Sequence, residues 1–109
     1  MDQTMNYADI LTSVLREEAQ LQPSIQPITI APVCDPVSGQ FLLIATGYEN
    51  KAWFDSILFH ARLVDDLVVI ELDNIEEGLK PALIEAGIPA EHIISGLKFA
   101  QRKTGSAAA

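Results

Sequence analysis

A chain of 109 residues is one domain's worth, able to bury about two-thirds of the surface its unfolded form exposes without disulfides or metals to staple it. Fifteen acids against seven bases give a net charge of -8, which repels phosphate backbones and argues against a stand-alone nucleic-acid binder. The single Cys34 cannot close an internal disulfide, no Cys/His spacing resembles a zinc site, and no apolar run reaches the ~18 residues of a membrane span. The N-terminal stretch MDQTMNYADI has no basic region followed by an apolar one. A soluble, unexported protein of a reducing cytoplasm is expected, with no membrane contact.

In chain order, the first element is a helix. Tyr7, Ile10, Leu11, Val14, Leu15 and Ala19 recur at the spacing of one buried helical face, Asn6 with Asp9 three residues on supplies an N-terminal cap, and Pro23 ends the helix. Four runs rich in Ile, Val, Phe and Leu follow: SIQPITIAPV, QFLLIATGY, AWFDSILFHARLV and LVVIELD, separated by the turn formers DPVSG, YENK and DD. Links this short suit antiparallel hairpins. Alternation in the third run sets Trp53, Ile57, Phe59, Ala61 and Leu63 on one face and Ser56, His60 and Arg62 on the other. In NIEEGLKPALIEAGIPAEHI, Leu79, Ala82, Leu83 and Ala86 return to helical spacing before Gly87 and Pro89. Pro81 should begin the regular part of that second helix or kink it after an irregular first turn. The expected fold is α+β: an N-terminal helix, an antiparallel sheet of four to five strands built from hairpins, and a second helix near the C-terminus, all one domain over residues 1–109.

Three constellations invite a chemical reading. ELDNIEEG packs four carboxylates into eight residues at the junction of the fourth strand with the second helix. Asp73 or Asn74 can cap that helix while Glu76 and Glu77 occupy its first turn, where unpaired amides favour negative charge. The rival is a metal-dependent enzyme that holds a hard cation on Glu71, Asp73 and Glu76. Asp35, followed by Glu49 and Lys51, imitates the Asp…Glu-x-Lys pattern of metal-dependent nucleases, but Glu49 and Lys51 fall in a turn rather than along a strand. His60 has no serine or cysteine arranged as a triad. No catalytic residue, metal ligand or cofactor site is assigned, and a small-ligand-binding domain is a further alternative.

Charge is distributed unevenly. After Glu91 there is no acid, and Lys98, Arg102 and Lys103 make residues 98–109 a basic tail. Such a tail either frays or docks on an acidic surface.

The segment DNIEEGLKPALIEAGIPAEHIISG resembles the Asp-x-Thr-Glu-x-Gly…Glu-Ala-Gly-Val-Pro-x-x-Asp-Ile…Gly pattern of the fdxN element excision controlling factor family, the XisI-like proteins found mainly in cyanobacteria. The match runs through Asp73, Glu76, Gly78, Glu85, Ala86, Gly87, Pro89, Ile93 and Gly96. Gly47-Tyr48 stands where the family has Gly-Trp, His60 falls on its strand histidine, and EEAQLQPS and RKTGSAAA are similar to its first-helix end and its C-terminus. The chain departs from the pattern at Lys51-Ala52-Trp53, where a basic cluster is usual, at Ile75 in place of Thr and at Glu71 in place of Gln. The resemblance implies an accessory or regulatory protein of programmed DNA excision that acts beside a separate recombinase and binds a XisH-like partner rather than catalysing. His60, Arg62, Arg102 and Lys103 are the expected partner-binding residues. Trp53, Phe54 and Leu58 near one end of the sheet leave an edge or face to cover, so a homodimer is also expected.

Overall fold

The structure is a computed structural model that describes residues 6–21 and 28–108, with side chains described through Arg102. Helix α1 spans Tyr7–Leu21. Its start is the expected one: the Asp9 amide donates to Asn6 Oδ1 at 2.8 Å and the Ile10 amide to the Asn6 carbonyl at 3.1 Å, so Asn6 satisfies amides that have no partner within the helix. Pro23 lies outside the described residues.

The strands follow as β1 (Ile28–Asp35), β2 (Gln40–Glu49), β3 (Ala52–Val64) and β4 (Leu67–Asp73). They form an antiparallel meander in sequence order. Asn50 and Lys51, at φ 55° and 63°, make the two-residue turn between β2 and β3, whose twist matches that of the strands it joins. Beyond β4 come helix α2 (Lys80–Glu85), a 3-10 turn (Ala90–His92), a fifth strand β5 (Ile93–Ser95) and helix α3 (Gly96–Ala108). β5 lies parallel to β4, Val68 opposite Ile93, because the intervening segment crosses over the sheet instead of turning back. The fold is α+β as expected, with a mostly antiparallel sheet of five strands.

One face of the sheet carries the core. Ile10, Leu11, Val14 and Leu15 of α1 pack with Leu79, Leu83 and Ile88 onto Phe41, Leu43, Phe59, Ala61 and Val68. Tyr7 fastens this layer to the far end of the chain, its hydroxyl 2.5 Å from His92 Nδ1. On the opposite face α3 covers only the β4–β5 side, over Val69, which is fully buried. The segment read as a frayed or docked tail is therefore helical through Ala108. Ser95 Oγ accepts the Lys98 amide at 3.1 Å and so caps the new helix.

The expected facing of β3 needs correction. The β2–β3 register shifts between Leu43, opposite Phe59, and Ile44, opposite Ile57, so Leu58 is an extra residue in a bulge. Directly opposed residues share a face, and a one-residue insertion reverses the alternation beyond it. Trp53 and Ile57 thus lie on the face of His60 and Arg62. Ser56, opposite Ala45, lies on the core face.

Candidate functional site

The face of the sheet away from α1 is the most unusual surface of the molecule. Cross-strand pairing arranges it in rows. One row runs Val33, Leu42, His60, Leu72 across four strands, and the next runs Ala31, Ile44, Ile57. Tyr48 and Trp53 form a further pair, with ring centroids 6.4 Å apart. Apolar residues here stay open to solvent: Trp53 is 73% exposed, Tyr48 49%, Val33 44%, Ile57 40% and Leu72 37%. Single exposed apolar side chains are ordinary, but rows of them across neighbouring strands make a contiguous apolar patch.

His60 sits inside this face, half-buried, with Nε2 2.7 Å from Gln40 Oε1. The bond joins two side chains of the same face, Gln40 opposing Arg62 as Leu42 opposes His60, and orients the imidazole; a polar row, Thr29–Thr46–Asp55, lies on this face between the Ile44–Ile57 row and the Tyr48–Trp53 pair. Arg62, one row further, donates from Nε to Glu71 Oε2 at 2.6 Å and lies with Cζ 5.7 Å from the centroid of the Phe99 ring on α3. Glu71 is itself a bulge residue, since the register passes from His60–Leu72 to Ala61–Ile70. Gly96 begins α3 beside this pair. A Cβ there would meet the far end of the Glu71 side chain, so a larger residue would have to push that carboxylate away from Arg62. Arg62, Glu71, Gly96 and Phe99 together close one border of the open face.

The remaining expected site residues are distributed as follows. Arg102 lines a cavity of about 540 Å³ with Lys80, Lys98, Asp73 and Glu91, whereas His60 and Arg62 are not in its wall. Lys103 belongs to α3, and its side chain lies outside the described residues. Gly47 is buried in β2 opposite Phe54. Gly78 and Gly87 hold φ 77° and 122°, conformations that residues with a side chain rarely adopt. Gly87 follows α2 and donates its amide to Ile84 at 3.0 Å, and Pro89 leads into the 3-10 turn.

The carboxylate cluster ELDNIEEG does not start the helix as expected. Helix α2 begins at Lys80, its N-cap Leu79 makes no side-chain cap, and Pro81 stands in its first turn. Asp73 serves the loop instead: Oδ1 accepts the Ile75 amide at 3.1 Å and Oδ2 the Leu79 amide at 2.8 Å. Gly78 closes the same loop through a bond of 2.9 Å from its amide to the Ile75 carbonyl. A loop closed on an Asp carboxylate, here at Ile75 and again at Leu79, is what a short polar side chain offers in place of a helical turn. Glu76 and Glu77 lie in this turn and are exposed. Glu71 is engaged by Arg62, and among the described residues no three of His, Cys, Asp and Glu converge on a common point. The nuclease-like set also comes apart. Asp35 faces Gln40 at one end of β2 while Glu49 closes the other, about 30 Å away at the rise of a strand. Asp35 is occupied by its own turn: the Ser38 hydroxyl, first, and the Val37 amide hold its carboxyl below the usual carboxylate range.

Over residues 1–108 the chain matches the family model described as XisI protein. No curated protein matches it. Among solved structures it is similar to a XisI-like protein from Anabaena variabilis at 18% identity, with a TM-score of 0.75 over 84% of each chain. It is also similar to the fdxN element excision controlling factor XisI of Anabaena variabilis at 20% identity and a TM-score of 0.67, over 81% of this chain and 86% of that one. Among the described residues no helix is long and apolar enough to cross a membrane.

Proposed function

The chain belongs to the XisI family, and from that premise we propose that it is an accessory, regulatory protein of programmed DNA excision that works by binding another protein rather than by catalysis. One of its structural neighbours is named an excision controlling factor. The observation that carries the reading is the open face of the sheet, where Val33, Ile57 and Leu72 stay exposed around a hydrogen-bonded His60. Apolar rows interleaved with polar groups, His60 in one row and Thr29, Thr46 and Asp55 in another, beside a charged border at Arg62 and Glu71, are the composition of a protein interface. The partner is a XisH-like protein that lays an apolar surface over these rows and an acidic patch against the basic middle of α3, Arg102 and Lys103. A net charge of -8 directs such a protein toward other proteins and away from phosphate backbones.

Capture of a purified XisH-like protein tests the proposal. Val33→Glu or Leu72→Glu is expected to reduce capture at least tenfold, since each places a charge in the apolar rows. Reversing charge at Arg102 and Lys103 is expected to weaken capture several-fold, more at low salt than at high. The isolated protein should not shift duplex DNA in a gel near physiological salt. Undiminished capture by both face variants, or a DNA shift by the protein alone, overturns the assignment.

A further inference from the structure

The sheet has three stretches of open edge, and they are not alike. β1 is the outer strand on one side, and Pro32 stands at its middle, which removes a ladder donor and blunts that edge. β5 on the other side is only three residues long. The third stretch lies inside the sheet. β3 runs Ala52–Val64, but β4 pairs with it only over Phe59–Val64, so residues 52–57 overhang with β2 on one side and, among the described residues, no strand on the other. This overhang, AWFDSI, contains no proline and no lysine and carries a single charge, Asp55.

Its hydrogen-bonding groups follow from the turn. In a two-residue hairpin the closing pair, here Glu49 and Ala52, bonds inward, and outward and inward residues then alternate. Trp53, Asp55 and Ile57 therefore turn their amides and carbonyls to the open side. We infer that the occupant of this edge is a second copy of the chain, paired antiparallel through residues 52–56 about a two-fold axis, so that the two sheets continue into one another.

Self-complementarity selects the second copy. Antiparallel partners must share a face, so on a strand without an internal bulge the numbers of opposed residues add to an even sum. Placing Asp55 on the axis would oppose two carboxylates, and placing Trp53 there would run the ladder into the turn. Phe54 on the axis avoids both. It brings Phe54 against Phe54 and makes Trp53 and Asp55 of each copy a hydrogen-bonded pair with Asp55 and Trp53 of the other. Each copy contributes a segment with one charged residue, and the Phe54 register sets that Asp55 carboxylate against Trp53 of the other copy, not against its own counterpart, which matters between bodies that each carry a net charge of -8. It also brings the two exposed Tyr48–Trp53 pairs to the same side of the joined sheet.

Light scattering on the eluting full chain, at micromolar concentration, should give twice 11.9 kDa. Asp55→Pro removes an outward amide that β2 does not use, and is expected to give a folded protein of 11.9 kDa. In a Cys34→Ser background, Phe54→Cys should form an intermolecular disulfide under mild oxidation, because residues on the axis face their own copy, while Ala31→Cys should not. A wild-type mass of 11.9 kDa at high concentration overturns the inference. So does a dimer that survives Asp55→Pro with Phe54→Cys left uncoupled, because another surface then joins the copies. The measurement needs no XisH-like protein, and loss of partner capture by Leu72→Glu leaves it unaffected.

Discussion

The two halves of β3 are the same strand in two environments. Over Phe59–Val64 it has β2 on one side and β4 on the other, helices α1 and α2 over one face, and α3 against Arg62 on the other. Over Ala52–Ile57 it has one neighbour strand, and Trp53, Asp55, Ser56 and Ile57 are all exposed. The two halves are similarly apolar in sequence. Their difference lies in a single inserted residue, Leu58, and in where β4 stops. Hydrophobic character alone therefore does not separate core from open surface in this protein; the register does.

The sharpest way to break the comparison is to truncate an aromatic in each half. Phe59→Ala, at a position with no exposure, should cost about 3–5 kcal/mol by urea unfolding. Trp53→Ala, which removes the most exposed aromatic, should change the stability of the dilute protein by only about 0.5 kcal/mol. Equal losses would mean that the overhang is packed in solution.

Three substitutions and a double-mutant cycle test what holds the packed half together. Asp73→Ala removes the acceptor of two amides and should cost about 1–3 kcal/mol, whereas Asn74→Ala should stay within about 0.5 kcal/mol, because no helix rests on it. The reverse order, with Asn74 the costlier, would restore the capped-helix reading of the junction. Gly96→Val pushes the Glu71 carboxylate off Arg62 and should cost about 0.2–1 kcal/mol. A double-mutant cycle on Arg62 and Glu71, whose side chains are 36% and 30% exposed, should give about 0.2–1 kcal/mol.

The smallest effect belongs to the β1–β2 turn. Asp35 has a carboxyl pKa lowered in the folded state, chiefly by the Ser38 hydroxyl. Its contribution is fully present above the unfolded value of 3.8 and is lost as pH falls through the lower folded value. Ser38→Ala should flatten the acid limb of a stability-versus-pH curve slightly, and leave it unchanged above pH of about 5.

What the sequence made legible follows the strength of local signals. Asn6 and the stripe from Ile10 to Leu15 announce α1, and DPVSG, YENK and DD announce the turns, since each signal is complete within a few residues. The bulge at Leu58 was not legible, because an inserted leucine between Ile57 and Phe59 looks like one more apolar strand residue. β5, at Ile93–Ser95, is too short for an alternation to register. α3 was read as a tail because its last residues, GSAAA, have no apolar period, although Ser95 three residues before Lys98 was a cap signal in plain sequence. At the candidate site, His60 and Arg62 were correctly placed on one face. The apolar rows around them were missed, since they arise from pairing between strands that no single strand reveals.

The crossover to β5 has a consequence for how the protein is made. Each strand from β1 to β4 adds beside the one just completed, so the meander can assemble as the chain emerges from the ribosome. β5 alone comes back from a distance, after residues 74–92. Until it arrives, β4, the run LVVIELD, is an unprotected apolar edge, and Tyr7 waits for a His92 that lies 85 residues away. The last sixth of the chain, from His92 on, acts as a seal on a sheet already formed. A chain that ends at Glu91 is accordingly expected in the insoluble fraction on expression, while recovery of that fragment as a soluble, folded protein would mean that β4 finds its cover elsewhere.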